Sequence, residues 1–443
     1  MKIFSPFRAS LARQAVLALT LALSCSGAQA QLRLPSVSVP GSPLGLPAGG
    51  LLRENAERLL AARDLRDLPD LRAVRLERLN DLLRRHRDVL EADPRGDPVV
   101  RREILAWSPS QAGLAAAAAA GLRVLRERRL EGLDETMVVL QVPDGAATAE
   151  LLDQLRTRDP DGTYDFNHVY MGSEAGAPAS ASGPAQALPA PSAKKGGASV
   201  GLIDSGIDSG HAVFRDAAIE RWGCERVHPD AHGTAVAALM VGSSDHFQGV
   251  EPKARLYAAD IYCDSGAGGS AERIAGALAW MAREQVAVIN LSLVGPSNQT
   301  LERVVRAMVK RGHLLVAAVG NDGPAAPPLY PASYPGVVGV SAVDKRGRVL
   351  PEAGRGPQVM FAAPGNNMVS AAPGTPPYRQ VRGTSFAAPI VAAMLARALP
   401  RPDTTGAAAA VATLAGSARD GAPGETGKGI VGLAFRIDPQ SLK

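Results

Sequence analysis

The chain has 443 residues, too many for one ordinary domain, which predicts two or three. Hydrophobic residues make up 46% and aromatic residues only 4%, which is typical of a tightly packed α/β protein rich in small side chains. The net charge of +5 is small, and the arginines of residues 53–129 alternate with acidic residues, so we exclude a nucleic-acid-binding surface and expect a solvated helical face.

The first 30 residues have the pattern of an export signal. Basic residues precede the apolar run 15–23, and residues 28–30 (Ala-Gln-Ala) form a small-x-small cleavage site. No stretch reaches the ~18 uncharged apolar residues of a membrane-spanning helix, so no transmembrane segment is expected. Residues 23–25 (Leu-Ser-Cys) faintly resemble a lipoprotein box, which leaves lipidation as a minor alternative. We therefore expect an exported protein, either periplasmic or extracellular.

Residues 31–97 form the next region, in which the composition changes once. Residues 31–50 are rich in Pro, Gly, Ser and Leu and are expected to be extended. Residues 51–92 are Arg-rich and have Leu at helical spacing, and Pro69 is expected to divide them into two helices. The sequence leaves open whether this helical part extends the domain that follows or binds a partner.

Residues 98–173 have the pattern of a small α+β domain. The predicted order is strand, helix, strand, strand, helix, strand, which is typical of a split βαβ sandwich. Residues 174–197 contain mainly Ala, Pro, Ser and Gly and cannot bury enough apolar surface to fold, which predicts a linker exposed to proteolysis. The predicted strands are 102–107, 123–130, 136–142 and 163–170, and the predicted helices are 111–120 and 147–158.

Residues 198–443 alternate between apolar strands and helices. This alternation predicts an α/β fold, a doubly wound and mainly parallel sheet with helices on both faces, preceded by the small α+β domain. The strands are predicted to be buried on both faces because they are short apolar runs rich in Val, Ile and Leu. They are placed at 198–203, 255–261, 286–291, 314–319 and 337–343, and helices at 271–283, 300–311 and 386–399.

Three short segments of this region carry residues suited to nucleophilic catalysis. Asp204 follows the first predicted strand, where open α/β sheets place functional groups. His232 and Ser385 each open an apolar helix, whose N-terminus favours nearby negative charge. Taken singly, they could be a turn residue, a structural histidine and a helix cap. Together they supply a nucleophile, a base and a group that orients the base.

With these motifs, residues 198 to about 435 resemble the catalytic domain of the subtilases, the subtilisin-like serine peptidases. The resemblance implies a serine endopeptidase in which Ser385 attacks the scissile carbonyl, His232 transfers the proton and Asp204 orients the imidazole. The chain order Asp, His, Ser is also that of subtilisin. The matching segments are 204–206 (Asp-Ser-Gly), 232–234 (His-Gly-Thr), 383–389 (Gly-Thr-Ser-Phe-Ala-Ala-Pro), 290–293, 318–321, 330–332 and 363–365.

The resemblance also implies roles in substrate binding. Asn321 would donate its side-chain amide to the oxyanion, together with the backbone N–H of the nucleophile. Ser292, Leu293 and Val294 would form an open edge that pairs with the substrate backbone. Val294 and Leu329 stand where the family often has smaller or more polar residues, so we predict a narrowed pocket and a preference for small apolar P1 residues.

Residues 98–173 resemble the propeptides of this family, which assist folding and then block the active site. The resemblance implies a self-processing precursor, cleaved in the linker 174–197, whose own propeptide is an intramolecular inhibitor and chaperone. Catalysis of this kind requires no cofactor and no catalytic metal. Residues 242–249 lack the Asn-rich character of the family's strong calcium loop, so structural calcium is doubtful, with Asp245 and Asp264 as possible ligands.

The cysteines leave two interpretations. Signal cleavage would remove Cys25 and leave Cys224 and Cys263, a candidate disulfide in an exported chain, or else two buried thiols.

The sequence argues against three other functions. An inactive protease-like scaffold is disfavoured by the complete Asp, His and Ser set, an α/β-hydrolase by the absence of Gly-x-Ser-x-Gly at Ser385, and a metalloprotease by the absence of His-Glu-x-x-His.

Overall fold

The computed structural model describes residues 70–172, 198–265 and 268–442. These residues all belong to one compact unit, Pro47–Lys443. The predictions for the export signal, for the extended stretch 31–50, for the helix before Pro69 and for the linker 174–197 lie outside the described residues. Within the described residues, no helix is long and apolar enough to cross a membrane.

An α+β domain occupies the described residues before 173. Its elements are helix α1 (Leu71–Arg85), strands β1 (Leu90–Ala92) and β2 (Pro98–Trp107), helix α2 (Gln111–Ala119), strands β3 (Arg123–Leu130) and β4 (Glu135–Gln141), helix α3 (Thr148–Arg158), and strands β5 (Thr163–His168) and β6 (Met171–Gly172). In this part of the chain five strands form one antiparallel sheet, in the order β1-β2-β4-β3 with β5 also paired to β2. The predicted order of strands and helices from β2 to β5 is confirmed.

The helical prediction for residues 51–92 is wrong at its C-terminal end. Helix α1 ends at Arg85, and Leu90–Ala92 instead forms β1, which pairs with the start of β2. Leu90 is buried against Val100 and Val169, so burial in the sheet outweighs the helical composition of this stretch. The sheet therefore begins before residue 98, inside the region that the sequence suggested was helical.

A doubly wound α/β domain follows residue 197, as predicted. Within 198–265 and 268–442 the elements are β7 (Ser199–Asp204), β8 (Ala218–Trp222), α4 (Ala231–Val241), β9 (Arg255–Asp260), α5 (Ala271–Arg283), β10 (Val288–Leu291), β11 (Leu293–Val294), α6 (Gln299–Lys310), β12 (Leu314–Ala318), β13 (Val338–Val343), β14 (Val359–Pro364), β15 (Met368–Ala371), β16 (Tyr378–Val381), α7 (Thr384–Ala398) and α8 (Thr404–Gly416). Seven of these strands form a parallel sheet in the order β14-β13-β12-β10-β7-β9-β8. Helices α4 and α7 cover one face of the sheet, and α5 and α6 cover the other.

The two domains share a hydrophobic core. One face of the N-terminal sheet is covered by its own helices α2 and α3, through residues such as Leu152 and Leu155. The opposite face presents Leu105, Met137 and Val139 to helices α5 and α6. The N-terminus of α6 reinforces this contact. Its first backbone N–H donates a hydrogen bond to Asp165 of β5, at 2.6 Å. The N-terminal domain is thereby held close to the carboxyl ends of the parallel strands.

Candidate active site

Asp204 and His232 lie in direct contact. Asp204 is the last residue of β7, and His232 is in the first turn of α4. The Nδ1 atom of His232 lies 2.7 Å from Oδ1 of Asp204, a hydrogen-bonding distance, and both residues are buried. Because Nδ1 faces the carboxylate, the opposite ring nitrogen, Nε2, points away from it.

A small hydrogen-bond network holds this pair. The carboxylate of Asp230 caps helix α4, accepting hydrogen bonds from the backbone N–H of His232 at 2.8 Å and from the hydroxyl of Ser205 at 2.7 Å. The backbone N–H of Ser205 donates to Asp204 at 2.7 Å. Glycine is needed at position 233 because a Cβ there would lie 2.2 Å from the carbonyl oxygen of Ser205. These contacts fix the position of His232 relative to the end of β7.

Ser385 lies in the first turn of α7, and its neighbour in the chain contacts His232. The next residue, Phe386, packs its ring against the imidazole of His232, with the ring centroids 5.6 Å apart. The carbonyl of Ser385 accepts a hydrogen bond from the hydroxyl of Ser292 at 2.9 Å, and Ser292 in turn accepts one from the amide of Asn290 at 2.9 Å. The structure therefore brings Asp204, His232 and Ser385 to one place from three separate segments.

Asn321 lies against the turn that precedes Ser385. Its Oδ1 atom accepts a hydrogen bond from the backbone N–H of Thr384 at 3.1 Å, which fixes the orientation of the amide. Gly383 has a φ of 131°, and a Cβ there would lie 2.9 Å from Nδ2 of Asn321. This close approach explains the glycine. The turn that precedes Ser385 therefore orients the side chain of Asn321.

A buried ion pair braces the same turn. Arg382 contacts Glu352 through two parallel hydrogen bonds, Nε to Oε1 at 2.6 Å and Nη2 to Oε2 at 2.8 Å. The carbonyl oxygen of Glu352 accepts the backbone N–H of Gly323, at 2.8 Å, in the loop that carries Asn321. This pair could not be predicted, because nothing in the sequence shows that these two residues meet.

The edge formed by Ser292, Leu293 and Val294 is not open, in contrast to the prediction. Strand β11 pairs antiparallel with β6, so that Leu293 lies opposite Gly172 and Val294 opposite Met171. The edge has the expected pairing ability, but the chain's own N-terminal domain occupies it. The sequence could not show this, because it gives no register between two segments that are so far apart in the chain.

A second segment of the α/β domain, around Gly269, contacts the chain just before β6. The sequence did not predict this contact. The backbone N–H of Tyr170 donates to the carbonyl of Gly269 at 2.9 Å. The side chain of Tyr170 is fully buried, and its hydroxyl donates to the carbonyl of Pro296 at 2.8 Å. Burial raises the pKa of the Tyr170 hydroxyl well above its usual value, so it remains a donor at neutral pH. The glycine-rich sequence around Gly269 was the available signal for this close backbone approach.

Val294 and Leu329 converge beside the loop that carries Asn321. A Cβ at Gly320 would lie 2.5 Å from Cδ1 of Leu329 and 3.5 Å from Cγ1 of Val294. Both side chains are buried. The two residues named from the sequence therefore do lie together, next to Gly320.

Cys224 and Cys263 form a disulfide in the structure, with an S–S distance of 2.07 Å. It joins the segments that follow β8 and β9. Among the described residues, the group of three potential metal ligands is Cys224, Asp260 and Cys263, and the disulfide removes both thiolates from it. Burial raises the pKa of Asp260 above its usual value, which further weakens it as a ligand.

Residues 242–249 form a turn that is closed by its own hydrogen bonds. The carbonyl oxygens of Gly242, Ser244 and Phe247 accept backbone hydrogen bonds within the segment. The ring of Phe247 is buried and stacks on Tyr378, with centroids 5.9 Å apart. These contacts hold the segment in a compact conformation.

Comparison with known proteins identifies the family. Residues 195–429 match the model of the subtilase family, peptidase family S8, which is more than half of the chain. The chain therefore belongs to the subtilase family of serine peptidases.

Individual relatives agree with this assignment. Subtilisin-like protease 1 of Trichophyton rubrum is 36% identical over 215 residues, covering 45% of this chain and 41% of the relative. Subtilisin J of Geobacillus stearothermophilus is 34% identical over 215 residues, covering 46% and 56%. The chain thus spans about half the length of the curated relatives it matches. Fervidolysin from Fervidobacterium pennivorans, a keratinolytic enzyme related to subtilisin, has a similar fold, with a TM-score of 0.61 and 19% identity over 78% of this chain and 62% of that one.

Proposed function

We propose that the chain is a secreted serine endopeptidase that cleaves peptide bonds through an acyl-enzyme, with Asp204, His232 and Ser385 as its catalytic triad. The observation that carries the proposal is the 2.7 Å contact between His232 and Asp204, with the imidazole packed beside Ser385 through its neighbour Phe386. Family membership supports the same chemistry. Secretion rests on the export pattern of the first 30 residues.

In the proposed mechanism each residue acts on a defined atom. His232 removes the proton from the Ser385 hydroxyl as the oxygen attacks the scissile carbonyl, and then delivers it to the leaving amine. Asp204 holds the imidazole by Nδ1 and stabilises its charged form. Asn321 and the backbone N–H of Ser385 stabilise the oxyanion, and one such donor contributes about 3 kcal/mol to transition-state binding. Water, activated by His232, then releases the acyl group. No step requires a cofactor, and full activity in EDTA is expected.

The chain is further proposed to be made as a self-inhibited precursor. Pairing of β6 on β11 supports this, because Met171 and Gly172 occupy the backbone edge that a substrate would use. The shared core of the two domains supports a propeptide that stays bound after cleavage. We propose self-cleavage between residue 172, where the paired strand ends, and residue 198, where the next domain begins.

The convergence of Val294 and Leu329 beside Gly320 supports a preference for small P1 side chains. Two buried branched residues at this point would leave little room for an aromatic ring. We therefore propose that Ala is preferred to Phe or Tyr at P1.

Labelling with a serine-reactive fluorophosphonate tests the function. The full-length chain, after digestion of its N-terminal domain by an added protease, is expected to take up one label and to hydrolyse casein. The variants Ser385→Ala and His232→Ala, treated identically, are expected to do neither. If the parent chain folds but neither labels nor hydrolyses after removal of the N-terminal domain, the protein is an inactive protease-like scaffold and the proposed function is wrong.

A further inference from the structure

Helix α1 contacts the loop that carries Asn321. The guanidinium of Arg75 donates a hydrogen bond from Nη1 to Oδ2 of Asp322 at 2.5 Å. Leu71, one turn earlier, covers the next loop residue, since a Cβ at Gly323 would lie 3.1 Å from its Cδ1 atom. Two side chains on one face of α1 thus meet two consecutive residues that follow Asn321.

The same helix is anchored to the N-terminal domain. Leu82 and Leu83 pack against the cluster of Leu90, Val100 and Val169. Arg75 also lies 3.8 Å from the carboxylate of Asp97, in the turn between β1 and β2. One guanidinium therefore lies between a carboxylate of the N-terminal domain and a carboxylate of the catalytic domain.

The Arg75 contact is sheltered enough to contribute to binding. The side chains of Arg75 and Asp322 are 20% and 16% exposed, so water screens the pair less than it screens a surface pair. Without Arg75, Asp97 and Asp322 would lose the cation that both approach, and their like charges would repel each other. The contact lies outside the split βαβ sandwich and outside the strand β6 that occupies the substrate edge.

We propose that α1 is a second inhibitory element, which docks on Asp322 and Gly323 and holds the oxyanion loop in the precursor. Helix α1 adds contacts at this loop to those that β6 makes at the substrate edge. The N-terminal domain is then released only when both contacts are broken, so α1 prolongs latency after cleavage. This inference rests on the proposed function for its inhibitory consequence, whereas the docking itself does not depend on activity.

Hydrogen exchange measures the docking without requiring activity. In the full-length Ser385→Ala chain, Arg75→Ala is expected to increase amide exchange in peptides covering residues 318–325 by roughly ten-fold. Arg84→Ala is the matched control, because Arg84 lies on the same helix, is exposed, and pairs with Asp81 of that helix. Equal exchange in the two variants would overturn the docking proposal.

The lag before activity measures the inhibitory consequence. In the active full-length chain, Arg75→Ala is expected to shorten the lag between self-cleavage and full peptidase activity by roughly ten-fold relative to Arg84→Ala. The mature enzymes from both variants have the same sequence, so their final rates must agree. Unchanged lag with increased exchange would mean that α1 docks without inhibiting. If every variant lacks activity and label even after added protease, the proposed function and the inhibition by α1 are both wrong. The docking of α1 is then tested by hydrogen exchange alone.

Discussion

At the scale of single residues, the site depends on side chains that orient other side chains. The backbone N–H of Thr384 fixes the amide of Asn321, and the ion pair of Arg382 and Glu352 holds the same turn. The ion pair is nearly inaccessible, with side-chain exposures of 5% and 2%. A buried pair of this kind stabilises a particular arrangement of loops, because breaking it leaves an uncompensated charge.

Leu329 offers the sharpest test of specificity at this scale. Leu329→Ala is expected to enlarge the space beside Gly320. It should raise kcat/KM for substrates with Phe at P1 by about ten-fold relative to substrates with Ala at P1. The reason is that a few methylene groups of pocket volume change the free energy of discrimination between substrates by about 1–3 kcal/mol. Ratios of kcat/KM from a paired peptide series measure this change. A parent enzyme that already cleaves after Phe faster than after Ala would contradict the narrowed pocket.

Asp204, His232, Ser385 and Asn321 could be named from the sequence because each stands in a short motif of consecutive residues. Glu352, Arg382 and Tyr170 could not, since their importance comes from partners far away in the chain. The occupied edge at Leu293 was missed for the same reason. Local sequence specifies which residues can do chemistry, whereas the contacts that position or block them arise from tertiary packing.

At the scale of elements, sequence periodicity predicted the central strands well and the edges of the sheets poorly. Strands β7, β10, β12 and β13 are mainly apolar and almost entirely buried, and β9 alternates between buried and half-buried residues over most of its length. Strands β8 and β14 lie at the two edges of the parallel sheet and were missed. β8 contains Glu220 and Arg221, as edge strands often contain charges, and so lacks the apolar signature. The Ala-rich helix α8 was missed because it has no clear apolar periodicity.

Asp93, at the end of β1, makes the stability of the N-terminal domain depend on pH. Its burial opposes ionisation, but hydrogen bonds from His168 and from the backbone N–H groups of Asp97 and Arg95 outweigh this and lower the pKa of Asp93 to about 2. Because the folded-state pKa lies below the unfolded value of 3.8, the ionised carboxylate stabilises the fold above about pH 4, and this contribution is lost as the pH falls towards 2.

Denaturant unfolding of the Ser385→Ala chain and its Asp93→Asn variant measures this contribution. The difference between their free energies of unfolding is expected to be about 2 kcal/mol above pH 5 and to shrink steadily between pH 4 and pH 2. His86→Ala, a substitution at the half-buried C-cap of α1, is the control. The difference between its free energy of unfolding and that of the parent is expected to stay constant over the same acid range. A constant difference for Asp93→Asn down to pH 2 would contradict the assignment.

At the scale of the whole molecule, the chain combines an α/β subtilase domain with an N-terminal α+β domain that pairs with its strand β11. The sheet of the α+β domain lies between its own helices and helices α5 and α6, and its last strand, β6, pairs with β11. Family membership identifies the α/β domain as a subtilase domain, and the proposed function makes the N-terminal domain its propeptide. Self-processing requires that the same serine which would cleave substrates also separates the two domains.

Intact mass spectrometry of the purified full-length chain and of Ser385→Ala tests this requirement most directly. The parent is expected to divide into two fragments whose junction lies between residues 172 and 198, while Ser385→Ala stays in one piece under the same conditions. Addition of active parent to Ser385→Ala shows whether the junction can be cut in trans, and a folded Ser385→Ala chain is verified by its cooperative unfolding. Cleavage of Ser385→Ala at the same junction and rate, in the absence of parent enzyme, would contradict the account.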